Sequence, residues 1–322
     1  MIRNVSTRLL PELAEPMKRK AEANDISCKG RMIQVNSEKV VITAAGLGTR
    51  LLPMSKEMPK EMLPIFIRSV NGLALKPLLQ ALFEQLYLFG FREFCFVVGR
   101  GKRSIEDHFT PDWGFVKALN DMGKSSLVKD LENFYRMIED SRIVFVNQPE
   151  PKGFGHAVLT AKPFIGDDPF LVCAGDTYIV SRDNSFLRRM CEAFSDKAEA
   201  VLLLQEVQDP RQYGVAVAEK SLGNAFKVVR VVEKPERPPS KLAIMPFYIF
   251  SPEIIKVLEG LEPGVGGEIQ LTDAIQKLIE NGREVIGVPL GEDEMRLDIG
   301  TPETYWEAIK TSYKYFRRSK DE

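Results

Sequence analysis

The chain has 322 residues, enough to bury a large core as one large α/β domain or two smaller ones, and its 44% apolar and 28% charged residues are ordinary for a globular protein. A formal net charge of −1 excludes the overall basic field that attracts nucleic acid, and the longest apolar runs are too short to span a bilayer. Because the N-terminus carries charges and no apolar signal core, we expect a cytoplasmic protein with neither nucleic acid nor membrane as a partner.

Residues 1–36 are rich in charged residues and helix formers, which predicts a helical or partly ordered N-terminal extension. The folded domain is expected to span 37–322, and from Lys39 onward apolar runs alternate with amphipathic segments. This alternation indicates right-handed β-α-β units and a Rossmann-like, doubly wound mixed sheet with helices on both faces. Strands are predicted at 39–45, 91–99, 142–148, 168–176 and 198–207, and helices at 75–90, 102–109, 125–141, 155–165 and 185–196.

The pattern changes after Tyr213. Three apolar runs there indicate antiparallel strands, which we expect to form a small antiparallel sheet in the C-terminal half, layered against the first. The strands are predicted at 214–220, 226–235 and 242–250, followed by a helix at 268–282, short strands at 284–290 and 295–300, and a long helix at 301–322.

The stretch from Val40 to Pro64 is the most informative. A β-branched strand bends through two glycines, whose backbone N–H groups can approach a ligand closely, and three cations follow: Arg50, Lys56 and Lys60. This order suits a triphosphate. The three-glycine dinucleotide fingerprint and the Walker pattern both fail here. With only two histidines in the chain, a His-rich zinc site or a serine-hydrolase triad is hard to build.

A second loop, residues 147–157, follows another predicted strand. Gln148 offers a hydrogen-bond donor and an acceptor to a nucleobase edge, and the amides around Gly153 favour an anion at the start of the next helix. We assign His156 a structural role.

Two aspartates end short apolar strands beside a glycine. Asp176 follows Gly175, and Asp298 precedes a glycine turn. A carboxylate in such a place is costly to bury without a cation, and Mg²⁺ prefers one or two carboxylates with phosphate oxygens and water. The two aspartates are therefore candidates for a shared magnesium site.

A last pair, Glu233 and Lys234, ends a predicted strand before Pro235. The chain bends there, so that both side chains can reach one pocket, where Glu233 would accept sugar hydroxyls and Lys234 would meet a phosphate. For such a dipeptide taken on its own, a surface ion pair is the default interpretation.

Together these segments resemble the sugar-phosphate nucleotidyltransferases, and among them the bacterial-type UTP–glucose-1-phosphate uridylyltransferases. AAGLGTRLLP followed by PKEMLP is similar to the family's opening signature. KGFGHAV, the helix LVKDLENFYRM and GEIQLTDAI are similar to its later motifs and occur in the same order. The similarity extends from about Lys39 to Tyr313.

The resemblance implies transfer of a uridylyl group from UTP to glucose 1-phosphate, giving UDP-glucose and pyrophosphate by in-line attack assisted by Mg²⁺. It also implies a nucleotide-binding half over about 37–205 and a sugar-phosphate-binding half over about 206–322. Arg50, Lys60 and Lys234 would be catalytic, and Asp176 and Asp298 would hold the metal. The nucleotide would be bound by Ala44, Ala45, Gly46, Gly48, Thr49, Gln148 and Gly153, and the sugar phosphate by Gly175, Gly214, Glu233 and Lys234.

Three segments depart from the family pattern. GDT at 175–177 replaces the usual P-D, Pro246 and Phe247 stand where G-R-Y is common, and RLDIGTPE at 296–303 is closer to the thymidylyl and mannose-1-phosphate guanylyl branches. A thymidylyl- or other sugar-1-phosphate nucleotidyltransferase is therefore an alternative. A non-catalytic nucleotide-sugar sensor and a nicotinamide dehydrogenase are further alternatives, but the first would have lost these charged residues and the second requires three glycines.

The C-terminal helix is amphipathic, with large apolar side chains at Tyr305 and Trp306. We expect a homodimer or homotetramer formed through this helix. The four cysteines lack a C-x-x-C pair and are expected to be reduced and mostly buried.

Overall fold

The computed structural model describes residues 37–318 except 196 and 222. The extension predicted for residues 1–36 lies outside the described residues. The strands are β1 (Lys39–Ala44), β2 (Pro64–Ser69), β3 (Gly72–Pro77), β4 (Glu93–Val98), β5 (Arg142–Asn147), β6 (Phe170–Ala174), β7 (Thr177–Val180), β8 (Ala198–Glu206), β9 (Gly214–Ser221), β10 (Phe226–Glu233), β11 (Leu242–Phe250), β12 (Glu284–Pro289) and β13 (Met295–Asp298). The helices are α1 (Leu78–Phe89), α2 (Arg103–His108), α3 (Trp113–Asp121), α4 (Ser125–Glu139), α5 (Phe154–Thr160), α6 (Lys162–Ile165), α7 (Ser185–Ala193), α8 (Glu253–Glu259), α9 (Leu271–Glu280) and α10 (Pro302–Arg318).

Nine of the described strands form one sheet in the order β5-β4-β1-β6-β11-β8-β12-β10-β9. The first four strands of that order are mutually parallel, so their carboxyl ends share one edge. β11 is antiparallel to both of its neighbours, and β12 is parallel to β8. The predicted doubly wound mixed sheet is confirmed, and its shared carboxyl edge is where an open α/β sheet binds ligands.

Both faces of the sheet are buried, as β1 illustrates. Val40 and Ile42 belong to the core on one face, and Val41 belongs to the core on the other. Because side chains alternate along a strand, a strand covered on both sides needs a continuous apolar run. Helices α1, α4 and α7 cover the first face, and α5, α8 and α9 cover the second.

The three strands predicted after Tyr213 are antiparallel, but they do not form a separate layer. β9 and β10 extend one edge of the large sheet, and β11 lies in its middle. The reason is that β11 is apolar throughout and contributes side chains alternately to both cores, which suits a central position. The small antiparallel ribbon that pairs β13 with β7 carries Asp298 beside Thr177.

The N-terminal half differs from the prediction in four details, one of which is that strand β7 was not predicted. Residues 75–77, predicted as helical, belong to β3, which pairs with β2 in a hairpin that the sequence analysis missed. The helix predicted over 155–165 is two helices separated at Ala161, because Pro163 cannot donate the backbone hydrogen bond that a continuous helix requires. Helix α3 was also missed.

Within the described residues, no helix combines the length and the apolar character needed to cross a membrane. Cys95, Cys173 and Cys191 are free and buried, as predicted, and burial raises the pKa of the Cys95 and Cys191 thiols to about 12.

Candidate functional site

A cleft of about 480 Å³ opens at the carboxyl edge of the parallel strands. The loops after β1, β5 and β6 form its walls, as expected for a doubly wound sheet. Most of the residues predicted to bind the nucleotide, two of the predicted catalytic residues and one predicted metal ligand line this cleft. They are Ala45, Gly46, Gly48, Thr49, Arg50, Lys60, Gln148, Gly153 and Asp176.

The loop after β1 presents its backbone to the cleft. Gly48 has a φ of 66°, in the left-handed region that favours glycine, and a Cβ at this position would come 3.1 Å from the Cβ of Ser55. The Ser55 hydroxyl donates a hydrogen bond of 2.7 Å to the Gly48 carbonyl and fixes the bend. Arg50 follows in a short 3₁₀ turn, Thr49–Leu51, and is exposed to solvent.

The charged centre of the cleft is an ion pair between the Lys60 ammonium and an Asp176 carboxylate oxygen. The two side chains retain only 15% and 17% exposure. Burial disfavours both charges, yet the attraction to Asp176 leaves the pKa of Lys60 above its ordinary value, and the attraction to Lys60 leaves the pKa of Asp176 below its own. Both groups are therefore charged at neutral pH. Both residues were expected in the cleft, but their pairing was not predicted.

Beside this pair lies a second ion pair, which was not predicted and whose Glu61 also lines the cleft. The Lys102 ammonium donates a hydrogen bond of 2.8 Å to Glu61, and the side chains are 9% and 2% exposed. Burial raises the pKa of Glu61, although Lys102 and Lys60 both oppose that rise. The position of Glu61 inside the PKEMLP motif, next to Lys60, was the available signal.

Asp298 lies at the end of β13, opposite Thr177 in the register of the ribbon. It borders a neighbouring pocket of about 250 Å³ and does not line the main cleft. Burial and then the negative charge of Asp176 raise the pKa of Asp298, while Arg296, Lys60 and Arg50 oppose the rise. The two aspartates are thus close enough to repel each other.

The loop after β5 is held against the segment that precedes α9. Gly153 has a φ of 98°, and a Cβ there would come 2.8 Å from the Ile269 carbonyl oxygen. Gln148 is buried, and its Nε2 donates to the Gly153 carbonyl at 3.2 Å and lies 2.9 Å from Nδ1 of His156. These contacts orient the Gln148 amide in the cleft wall. Glu268, which the sequence analysis did not single out, also lines the cleft.

The residues predicted to bind the sugar phosphate lie together at the end of β10. Gly214 of β9 pairs with Glu233, and the Glu233 carboxylate accepts a hydrogen bond of 2.6 Å from the Thr272 hydroxyl. Lys234 lies 3.2 Å from Glu233 and adopts a φ of 39°, which is uncommon for a side chain of its size. Thr272 was not predicted individually, although it lies in the GEIQLTDAI motif.

Two chain segments join this group to the cleft. Thr272 follows shortly after Glu268 of the cleft wall, at the start of α9. On the other side, Arg296 donates a hydrogen bond of 2.8 Å to the Tyr213 hydroxyl, and the Tyr213 carbonyl accepts one of 3.0 Å from the Lys234 amide. The Asp298 strand and the Lys234 turn are therefore linked through one tyrosine.

Residues 39–314 match the family described as Nucleotidyl transferase. The chain belongs to this family. The resemblance inferred from the sequence motifs is confirmed.

Named relatives agree with that membership. The chain is 38% identical to a UTP–glucose-1-phosphate uridylyltransferase of Pseudomonas aeruginosa, over 86% of this chain and 96% of the relative. It is 41% identical to the enzyme of that name from Bacillus subtilis, over 75% and 80% of the two chains. A crystal structure of UDP-glucose pyrophosphorylase complexed with UDP-glucose superposes with a TM-score of 0.73 and 33% identity, covering 87% of this chain and 99% of the other.

The departure from the family pattern at Pro246 and Phe247 has a structural explanation. The pairing of β11 with β8 is irregular between Ile244 and Tyr248, and a bulge of this kind accepts a proline that cannot donate to the ladder. Phe247 is fully buried in an edge-to-face contact with Phe186, with ring centroids 5.4 Å apart. This segment therefore contributes to the core.

Besides Asp298 and the residues at the end of β10, three further residues considered in the sequence analysis lie outside the cleft wall. Ala44 is buried in the core, and Gly175 is buried where a Cβ would come 3.1 Å from both Leu79 and the Thr43 carbonyl. Lys56 lies on the surface, 76% exposed, and pairs with Glu57 at 2.8 Å.

Proposed function

We propose that this protein transfers a uridylyl group from UTP to glucose 1-phosphate, giving UDP-glucose and pyrophosphate. The observation that supports this most directly is the cleft itself, in which a glycine loop, Arg50 and the Lys60–Asp176 pair lie at the carboxyl edge of the parallel strands. Such a set can bind the phosphates of a nucleotide. The names of the relatives favour uracil and glucose among the alternatives.

In the proposed complex the nucleotide lies in the main cleft. The amides of the loop from Ala45 to Thr49 face the phosphates, and Ala44, buried at the end of β1, positions that loop. The Nε2 of Gln148 is engaged by the Gly153 carbonyl and His156, which leaves Oε1 to accept a hydrogen bond from the N3–H on the hydrogen-bonding edge of uracil. This edge is shared with thymine, so Gln148 alone does not exclude the thymidylyl alternative.

The sugar phosphate is proposed to lie beside Gly214, Glu233 and Lys234. Gly214 leaves room at the crowded contact of Glu233 with Thr272, and Glu233 can accept hydrogen bonds from sugar hydroxyls. Lys234 is more than half exposed and can meet the phosphate. Gly175 supports this region indirectly, because it allows the end of β6 to pack closely on β1.

Asp176 and Asp298 are the residues proposed to hold Mg²⁺. They suit the ion, because two neighbouring carboxylates whose charges repel each other form a donor set that Mg²⁺ takes with water and phosphate oxygens. When bound, the ion would neutralise phosphate charge at the reacting centre. In the described part of the chain there is no larger cluster of His, Cys, Asp and Glu that could hold a metal.

The proposed reaction needs no protein base. The phosphate oxygen of glucose 1-phosphate is already a nucleophile at neutral pH, and it attacks the α-phosphorus of UTP in line with the departing pyrophosphate. Lys234 orients the attacking phosphate, and Arg50 and Lys60 stabilise the charge that develops on the leaving group. Catalysis then comes from alignment and electrostatic stabilisation.

Pyrophosphate release across four nucleoside triphosphates and several hexose 1-phosphates tests the proposal. We expect UTP with glucose 1-phosphate to give the highest kcat/KM. A preference for thymidine triphosphate would favour the thymidylyl alternative, and no turnover with any pair would favour a nucleotide-sugar sensor.

We further propose that the enzyme is a cytoplasmic homodimer or homotetramer. Trp306 on α10 is 63% exposed, which supports a contact between copies, whereas Tyr305 packs inward and donates a hydrogen bond of 3.1 Å to the Pro64 carbonyl. The free, buried cysteines suit a reducing compartment. Light scattering of the wild-type protein and Trp306→Ser tests the assembly, and a wild-type monomer would contradict it.

A further inference from the structure

Charges of alternating sign follow one another from Asp176 in the cleft wall to Lys102. Lys102 contacts Glu61 at 2.8 Å, Glu61 is the chain neighbour of Lys60, and Lys60 pairs with Asp176. All four side chains are largely buried, and the Glu61 carboxylate is the most buried of them at 2% exposure. In such surroundings each charge depends on its neighbours for compensation.

Lys60 therefore has two carboxylates within electrostatic reach. Asp176 attracts it most strongly, and Glu61 attracts it next. If Glu61 had no other partner, a buried, unpaired carboxylate beside Lys60 would compete for its ammonium, because leaving such a charge uncompensated is very costly. Lys102 is the group that removes this competition.

The backbone turn that carries Lys102 places its ammonium next to Glu61. Lys102 follows β4 through a turn in which its amide donates to the Gly99 carbonyl at 3.3 Å, and its own carbonyl accepts from Ile105 at 2.9 Å at the start of α2. Gly99 lets this turn approach β1, since a Cβ there would come 2.8 Å from the Ala45 carbonyl oxygen. The ammonium thus reaches Glu61 from a turn that these two backbone hydrogen bonds hold in place.

We propose that Lys102 is a positioning residue, which neutralises Glu61 so that the Lys60 ammonium faces Asp176 and the nucleotide phosphates. The inference rests on the proposed function, because it concerns the use of Lys60 in that reaction. Lys102 need not touch the substrate, and its effect passes through Glu61 to Lys60.

The test is a set of five variants: Lys102→Met, Lys60→Met, the two combined, Glu61→Gln combined with Lys102→Met, and Lys76→Met. The last is the matched control, because Lys76 pairs with Glu84 at 2.7 Å with similar exposures of 11% and 12%. For each purified protein, kcat, the KM values for UTP and glucose 1-phosphate, and Tm are measured.

We expect Lys102→Met to lower kcat about tenfold, less than the roughly hundredfold loss from Lys60→Met, because Lys60 is shared between two carboxylates instead of being removed. In the Lys60→Met background, Lys102→Met should change kcat by less than about twofold. Removing both charges of the lower pair should restore kcat to within about threefold of wild type, since neutral partners leave Lys60 with one carboxylate. Lys76→Met should lower Tm and leave kcat within about twofold.

An equal fall of kcat in both backgrounds would overturn the proposal, because Lys102 would then act independently of Lys60. If Lys102→Met does not fold, the combined Glu61→Gln and Lys102→Met variant decides, and a tenfold lower kcat at a wild-type Tm would overturn the proposal. Absence of turnover in the wild-type protein would instead contradict the proposed function.

Discussion

Lys60 offers the sharpest separation of catalytic from structural effects, because the same ammonium compensates Asp176 and faces the cleft. We predict that Lys60→Met lowers both activity and stability. The activity falls because a cation that would stabilise the leaving pyrophosphate is lost. The stability falls because Asp176 remains as a largely buried carboxylate without its partner.

The two losses have different expected sizes. Removing one preorganised electrostatic contact costs on the order of 3 kcal/mol in the transition state, which is about a hundredfold in kcat. Breaking a fully buried ion pair costs about 3–5 kcal/mol in stability. Because the two side chains keep 15% and 17% exposure, we expect a smaller loss, about 2–3 kcal/mol, which lowers Tm by roughly 5–10 °C in a domain of this size.

A second substitution separates the effects. Combining Lys60→Met with Asp176→Asn removes both charges, so Tm should return to within a few degrees of wild type while kcat stays low. Pyrophosphate release and thermal melts measure the two quantities, with Lys56→Met, on the exposed side of the same loop, as the control. If the combined variant remains as unstable as Lys60→Met, or if Lys60→Met keeps wild-type kcat, the reasoning is refuted.

Three further predictions concern other parts of the molecule. Asp298→Asn should raise Tm in EDTA at neutral pH while lowering kcat, because burial and Asp176 both disfavour the Asp298 carboxylate; an unchanged or lower Tm would argue against that repulsion. Burial lowers the pKa of His108 from 6.5 to about 4. Between these pH values His108 is protonated in the unfolded chain and neutral in the folded chain. The wild-type protein should therefore lose up to about 3 kcal/mol of stability as the pH falls from 6.5 to 4. Urea denaturation should show this loss reduced in His108→Gln, and an unchanged pH dependence would contradict it. Gly214→Ala should raise the KM for glucose 1-phosphate about tenfold with little effect on the KM for UTP. The reason is that the new Cβ would lie 2.9 Å from the Thr272 hydroxyl and 3.3 Å from Glu233. Equal rises in both KM values would contradict this prediction.

Local sequence patterns predicted most of the sheet and the main cleft. The alternation of apolar strands with amphipathic helices specifies parallel strands, and parallel strands place the loops after β1, β5 and β6 at one edge. That rule predicts the positions of Arg50, Lys60 and Gln148 at this edge. The place of β11 between β6 and β8 does not follow from it, because an apolar run identifies a strand buried on both faces without specifying the strands with which it pairs.

The pairings within the site could not be predicted in the same way. Lys60 and Asp176 are 116 residues apart and Glu61 and Lys102 are 41 apart, so only the packed structure shows which charge meets which. Glu61 would have been assigned to the surface on its residue type alone, since glutamate is seldom fully buried without a partner. Its partner, Lys102, lies on a turn after β4 in which no sequence motif was identified.

A crystal structure with UDP-glucose bound tests the central claim most directly. We predict that the diphosphate lies against the loop from Ala45 to Arg50 and near Lys60, with the glucose beside Glu233 and Lys234. A ligand bound away from the carboxyl edge of the parallel strands, with Lys60 and Asp176 still paired and untouched, would contradict it.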